Sequence, residues 1–154
     1  MSDSGLSGGN KNESFGLFLI IIALSGCYIM ITRLGLIINF WNIFLSLESE
    51  SRVKGYFILS LISFSVTVLL SLWFVFSFFR KKKSTRYVFL SLVLIYLFFD
   101  AASYLYGTYV VGIDIGVLIQ GYVRNLIIDT IILLFIFTPY IFFSGKSKRV
   151  FIRS

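Results

Sequence analysis

The chain has 154 residues; 58% of them are hydrophobic and 14% are charged, and the formal net charge is +7. A soluble domain carries about 25% charged residues, so a chain of this composition could not cover a water-facing surface and is expected in a lipid bilayer. Histidine is absent and Cys27 is the single cysteine. Histidine acid–base chemistry, cysteine or histidine metal clusters and intrachain disulfides are therefore excluded, and we expect neither a metal nor another cofactor.

Four long apolar stretches dominate the sequence. Residues 1–14, which are rich in Ser, Gly and Asn, are expected to form a disordered N-terminal tail. Each apolar stretch is long enough to cross a hydrocarbon core of about 30 Å. The fold class is therefore predicted to be all-α, a polytopic bundle of four transmembrane helices within residues 15–145, followed by a basic tail at 146–154. The spans are predicted at Phe15–Leu47, Tyr56–Phe79, Tyr87–Tyr109 and Val123–Phe143.

The first stretch is longer than one upright span requires. Counted from Phe15, Arg33 would lie about 27 Å along a helix, near the outer boundary, where its side chain could extend to the interface. The remainder, Leu34–Leu47, either continues the first helix outward or forms a separate helix lying on the outer surface. We expect one long helix.

Basic residues alternate between the two sides of the predicted spans. The 80–86 link and the C-terminal tail are strongly basic, the 48–54 link has cancelling charges, and the 110–122 loop has Asp114 alone. Cytoplasmic loops carry an excess of Lys and Arg, so both termini and the 80–86 link are predicted to lie in the cytoplasm.

The resulting cytoplasmic face is a candidate binding surface. It would contact the anionic inner leaflet or dock a cytosolic protein partner, and direct contact with nucleic acid is not expected. The apolar residues Val150, Phe151 and Ile152 at its edge could lie on the membrane or insert into a partner. The basic residues concerned are Arg80, Lys81, Lys82, Lys83, Arg86, Lys146, Lys148 and Arg149.

Four charged residues fall within the apolar stretches or at their outer ends. A charge at the bilayer centre costs roughly 2.5–3.5 kcal/mol on insertion scales, and mutual pairing would offset that cost. Three readings stay open: a structural clamp that fixes helix register, a sensing or gating site, and a proton or cation path through the two carboxylates. The predicted network consists of Arg33, Asp100, Arg124 and Asp129.

Small residues mark a candidate helix-packing face on the second span. Ser63, Thr67 and Ser71 recur every four residues, a spacing that lets helices approach closely. This face could pack within the bundle, join two subunits or line a pore. Gly112 and Gly116 have the GxxxG spacing too, but beside Asp114 in a loop they are more typical of turns.

Two segments carry a resemblance to a known family. The run Leu72–Lys83 is an aromatic span that ends in a basic cluster, and the fourth stretch contains Val123-Arg124, an apolar helix, Pro139-Tyr140 and then Ser147-Lys148-Arg149-Val150. Over residues 70–150 the chain thereby resembles the YdgK-like family of small bacterial inner-membrane proteins, a domain of unknown function whose members close with VR, an apolar helix, PY and SxRV.

The chain departs from that family pattern at both ends. Phe15-Gly16-Leu17 stands where the family has Gly-Gly-Trp, and Phe151-Ile152-Arg153-Ser154 stands where it closes with Thr-Phe. The resemblance implies four helices in a bacterial inner membrane and no assigned activity. The pattern positions that it singles out are Arg124, Pro139, Tyr140 and Arg149.

The sequence has no phosphate-binding glycine loop, nucleophile elbow or paired-carboxylate motif, so we do not expect an enzyme. We expect a non-catalytic oligomeric anchor or sensor subunit that docks a cytosolic partner through its basic face. Its Ile-, Phe- and Ser-rich, Ala-poor usage is typical of AT-rich genes and is compatible with a mobile anti-phage defence module. Two alternatives are a small ion or proton conductor that uses Asp100 and Asp129, and a membrane immunity protein against a pore-forming toxin.

Overall fold

Four long apolar helices make up most of the described chain. The computed structural model describes residues 16–46, 51–112, 114 and 121–151, with the backbone alone for 51 and 52. The predicted tail at 1–14 and the end of the basic tail at 152–154 lie outside these residues. The helices are α1 (Leu17–Ser46), α2 (Ser51–Phe79), α3 (Thr85–Leu105), a π-helical segment (Tyr106–Val111), α4 (Tyr122–Asp129), a second π-helical segment (Thr130–Phe137), α5 (Thr138–Phe143) and α6 (Gly145–Val150).

These elements confirm the predicted all-helical class with four helices that could each cross a membrane. By length and composition, the candidate spans end within a few residues of the predicted limits. We call the last of them the fourth span; it joins α4, the second π-helical segment and α5. The orientation of the termini stays a prediction. The spans are Leu17–Ser46, Val53–Phe79, Thr85–Val111 and Tyr122–Phe143.

The first helix is unbroken from Leu17 to Ser46, which confirms the expectation of one long helix as far as the described residues reach. At 1.5 Å per residue its 30 residues extend about 45 Å, well beyond the hydrocarbon thickness of about 30 Å. It must therefore tilt or project from the membrane.

Two apolar cores form, one at each end of the bundle. At the end that carries the 80–84 link and α6, which we call the basic end, large side chains from all four spans interlock. At the opposite end, the far end, an aromatic cluster joins α1, α2 and the start of the fourth span. The first core includes Leu19, Phe74, Phe78, Phe89, Ile141 and Phe151, and the second includes Phe40, Tyr56, Phe57, Phe64 and Tyr122.

Small residues let α1 and α2 approach closely. A Cβ placed on Gly26 would lie 2.6 Å from Cδ1 of the fully buried Phe74. On α2 the side chains of Ser63, Thr67 and Ser71 are all buried within the chain. Packing within the bundle, one of the alternatives that the sequence left open for this face, agrees with that burial.

The fourth span is irregular after Asp129. The π-helical segment runs from Thr130 to Phe137 and stops just before Pro139. Proline lacks an N–H and its ring collides with the preceding turn, and a widened turn relieves that collision. The loop ahead of the span begins at Gly112 and ends at Gly121, with φ of 77° and 75°. Left-handed backbone favours glycine, as the turn interpretation of Gly112 predicted, whereas Gly116 lies outside the described residues.

The C-terminal segment folds back under the bundle, contrary to its expected place on the membrane or in a partner. Val150 and Phe151 are buried in the first core, and the Phe151 ring centroid lies 5.3 Å from that of Phe78. The Ser147 hydroxyl donates to the carbonyl oxygen of Ile141 at 2.6 Å. Because α6 is one short turn, its basic side chains stay outside while these apolar ones turn inward. Ile152 lies outside the described residues.

A leucine at Gly26 should destabilise the bundle, because the added side chain would overlap the Phe74 ring. Overpacking of this kind costs about 1–3 kcal/mol. The matched control is Gly35→Leu on the same helix, where nothing lies within 4 Å of an added Cβ. Thermal unfolding in detergent should show a lower midpoint for Gly26→Leu and little change for Gly35→Leu. Equal midpoints would show that α1 and α2 do not meet at Gly26.

Truncation of Phe151 to alanine should cost about 3 kcal/mol through the cavity that it leaves. The control is Phe143→Ala, since that ring is 78% exposed and packs little. Thermal unfolding together with protease access to the C-terminus measures the effect. A C-terminus equally protected in both variants would contradict the folded-back position.

Candidate functional site

A buried salt bridge joins α1 to α3. Arg33 Nη2 donates to Asp100 Oδ2 at 2.5 Å, and the two side chains are only 4% and 7% exposed. The guanidinium carbon lies 4.4 Å from the ring centroid of Tyr96 and 5.2 Å from that of Phe64. The expectation that Arg33 extends to the interface is therefore wrong. A carboxylate and two aromatic faces within the bundle replace water around the charge.

Tyr96 connects this pair to the second carboxylate. Its ring faces Arg33, and its hydroxyl donates to Asp129 Oδ2 at 2.5 Å. Among the described residues, no cation lies within ion-pair distance of Asp129. Asp129 therefore has a phenol as its partner, whereas Asp100 has a guanidinium.

Tyr122 fixes the first turn of the fourth span against α3. Its hydroxyl donates to the backbone oxygen of Asp100 at 3.1 Å, and its ring stacks on Tyr104 with centroids 6.3 Å apart. The buried turn of α3 around Asp100 is thereby held from α1 on one side and from the fourth span on the other.

The fourth member of the predicted network lies elsewhere. Arg124 is exposed, and its guanidinium lies beside Gly121, with Nη2 3.2 Å from the position of an added Cβ. Three of the predicted charges, Arg33, Asp100 and Asp129, come together around Tyr96. Asn125 and Asp129 line the same cavity, and Arg124, as the neighbour of Asn125 in the sequence, falls on another side of the helix.

A polar cavity of about 320 Å³ opens beside these residues. It is a half-open cleft between α1, α3 and the fourth span, and both Asp100 and Asp129 contribute to its wall. A second cavity of about 170 Å³ shares Tyr28 and Asp129 with the first, but its other lining residues are mainly apolar. The neutral polar residues of the first cavity are Tyr28, Thr32, Asn39 and Asn125.

Two donors of the salt-bridged arginine have no hydrogen-bond partner in the part of the chain that the structure describes. Arg33 Nε and Nη1 are buried and make no hydrogen bond to any described residue. Most buried polar groups in folded proteins are paired, so unpaired donors on a charged group beside a polar cavity mark a site of functional interest. In the described ranges no three His, Cys, Asp or Glu side chains lie together as metal ligands would.

Sequence reasoning missed Tyr96 and Asn125. Each had a signal, because Tyr96 precedes Asp100 by four residues and Asn125 precedes Asp129 by four. Residues four apart share one face of a helix, so a polar side chain one turn from an intramembrane carboxylate indicates a common polar surface. Asn39 lies on α1, six residues after Arg33.

The predicted basic residues gather at one end but differ in their surroundings. Arg86 Nη2 lies 3.5 Å from the carbonyl oxygens of Lys148 and Phe151, so it ties α3 to the folded-back C-terminus. Arg80 lies over the Phe76 ring at 4.2 Å. Lys81 and Lys82 are half-buried in the turn. The exposed side chains are those of Arg80, Lys83, Lys146, Lys148 and Arg149.

Four candidate spans, a buried charge pair and a polar cavity define a multi-pass helical membrane protein. The chain belongs to the DUF2569 family, a group described as proteins of unknown function, whose model matches residues 14–152. That match includes the N-terminal half, which the sequence resemblance had not covered. No curated protein matches the chain, and no solved structure does.

Removal of one partner of the buried pair should be more damaging than removal of both. Arg33→Met or Asp100→Leu alone leaves an unpaired buried charge, which costs about 3–5 kcal/mol, whereas the double variant leaves an apolar contact. A double-mutant cycle of thermal or denaturant unfolding should give a coupling energy above about 1 kcal/mol. Arg124→Met, at an exposed arginine, is the control and should change little. Additive single effects would contradict the pairing.

Proposed function

We propose that this protein is a non-catalytic membrane sensor or anchor subunit. It would bind a ligand in the polar cavity and dock a cytosolic partner at the basic end. The observation that carries the proposal is the cavity itself, a half-open cleft within the spans that has Asp129 and the Arg33–Asp100 pair in its wall. Ionisable side chains within a membrane span are costly, and intramembrane ionisable residues are functional-site candidates for that reason.

The cavity favours binding over passage. Toward the basic end, the smaller cavity below Asp129 is bordered by Ile29, Leu133 and Phe137. Ions and protons need polar groups or water along their whole path, and apolar side chains interrupt such a path. A polar cavity that is closed toward the basic end by apolar side chains is suited to hold a ligand.

The packing of α1 against the fourth span supports a link between cavity and basic end. Near the basic end, the Phe18 ring centroid lies 4.3 Å from that of Tyr140 and 5.6 Å from that of Phe137. Farther along α1, the two cavities separate it from the fourth span. A ligand that changes this separation would turn α1 about the Phe18 contact and displace the surface beneath it.

The basic end would then act as the docking surface for an acidic cytosolic partner. Lys83, Lys146 and Lys148 are exposed there on the α2–α3 link and on α6. Each Lys or Arg near an anionic surface contributes about 1 kcal/mol of attraction. Anionic lipid in the inner leaflet is the competing ligand of the same surface.

A second candidate function is a small proton or cation conductor. The observation in its favour is a continuous series of contacts between polar side chains, which runs from Asp100 through Arg33 and Tyr96 to Asp129. The apolar border below Asp129 weighs against it. Flux into liposomes that is lost in Asp129→Asn would favour the conductor.

The remaining assignments are part of the proposal or stay predictions from the sequence. We propose a homo-oligomer in a bacterial inner membrane with both termini in the cytoplasm, and a YdgK-like relationship within DUF2569. A place in an anti-phage defence module and the role of a toxin-immunity protein stay predictions.

Neutralisation of exposed charges at the basic end should release a cytosolic partner. Affinity capture from native membranes in mild detergent, followed by native mass spectrometry, compares Lys83→Gln/Lys148→Gln with Lys54→Gln/Arg124→Gln, which removes the same charge at the far end. At about 1 kcal/mol per charge, the first variant should retain at least tenfold less partner. The six other basic residues that the structure describes at this end preserve the orientation signal.

Equal retention by both variants would refute docking through the basic end. A bare oligomer with lipid alone, at normal expression and thermal stability, would refute the sensor or anchor function and leave the conductor as the better candidate.

A further inference from the structure

We propose that the polar cavity binds an ammonium group, with Asp129 as its counter-ion. An ammonium ligand would be the signal that the proposed sensor detects, and in that respect its identity rests on the proposed function. Its physical basis is the distribution of charge in the cavity wall, which holds Arg33, Asp100 and Asp129 as its charged residues.

The charges of the cavity wall do not balance. Arg33 and Asp100 neutralise one another in their salt bridge. Asp129 remains, with one oxygen bonded to the Tyr96 hydroxyl and no described donor on the other oxygen. A carboxylate within a span is strongly stabilised by a cation, and this wall offers it none beyond the arginine already paired.

The size and the neutral lining point to an organic cation. A volume of about 320 Å³ is at the lower end of small-molecule pockets, which span about 300–1,000 Å³, and is far larger than a bare ion requires. Asn39, Asn125 and Thr32 offer oxygen acceptors for N–H groups, and Tyr28 offers an aromatic ring. Carboxylate, amide oxygens and aromatic rings are the groups by which proteins recognise ammonium ions.

An ammonium group could come from a lipid or from solution. Phosphatidylethanolamine carries a primary ammonium in its headgroup, and the cavity lies between α1 and the fourth span, where a lipid could enter from the side. A soluble amine presents the same group. Both sources use Asp129 in the same way, so the experiment separates them by the membrane in which the protein is placed.

The test uses the full chain in nanodiscs. In phosphatidylglycerol alone, phenethylammonium is titrated against its neutral analogue 2-phenylethanol, and the thermal midpoint is followed, because a ligand that binds the native state raises it. In mixed phosphatidylethanolamine and phosphatidylglycerol, native mass spectrometry counts the retained lipid. Asp129→Asn is the principal variant, since an amide oxygen still accepts the Tyr96 hydroxyl. Asp114→Asn removes the same charge from the 110–122 loop and is the control.

We expect a saturable rise in midpoint with phenethylammonium and not with 2-phenylethanol, or selective retention of phosphatidylethanolamine. Either effect should fall at least tenfold in Asp129→Asn and persist in Asp114→Asn. Asn125→Leu, which fills the cavity from an exposed position, should weaken binding as well and gives a second test if Asp129→Asn is unstable.

The inference would be overturned by the absence of both effects in the native chain. It would also be overturned by the same response in Asp129→Asn as in the native chain, by the same response to the neutral alcohol, or by a full response to sodium chloride alone. Partner capture is a separate measurement. Ammonium binding without any change in capture would refute the coupling of the cavity to the basic end and leave the site established.

Discussion

The salt bridge between Arg33 and Asp100 is the interaction on which the rest of the bundle depends. An unpaired charge in a span costs several kcal/mol, so each residue requires the other, although they are far apart in the sequence. The pairing fixes how α1 and α3 are rotated relative to each other. Tyr96 and Phe64 complete the enclosure of the guanidinium, and each belongs to a different apolar core. The charge pair therefore lies where the two cores meet.

The two ends of the bundle differ in how firmly they are joined. At the basic end, Phe151 fills the core from below, and Arg86 contacts the carbonyl oxygens of Lys148 and Phe151. Toward the far end, α1 and the fourth span are separated by cavity space and linked through α3. Rigid packing beneath a looser polar region is the arrangement that lets a ligand change helix separation without unfolding the protein.

The spans could be predicted from the sequence, whereas the pairing and burial of individual side chains could not. Long apolar stretches determine where helices cross lipid, so the limits of the second span differ by only three residues at its start. Which charges pair depends on helix rotation, which hydropathy does not encode; Arg33 therefore faces inward although its position suggested the interface. Phe151 was expected on the membrane or in a partner because basic residues surround it, yet the six-residue helix α6 turns the chain so that Phe151 is buried in the first core.

The unequal lengths of the helices make membrane thickness a physical variable for this protein. The first helix has 30 residues and the fourth span 22, part of it in compressed π-helical turns. No single bilayer can match both, so a thicker membrane would favour an upright α1 and a thinner one a tilted α1. Because α1 forms one wall of the cavity, the width of that cavity follows from the tilt. The lipid composition of the host membrane is thus coupled mechanically to the geometry around Asp129.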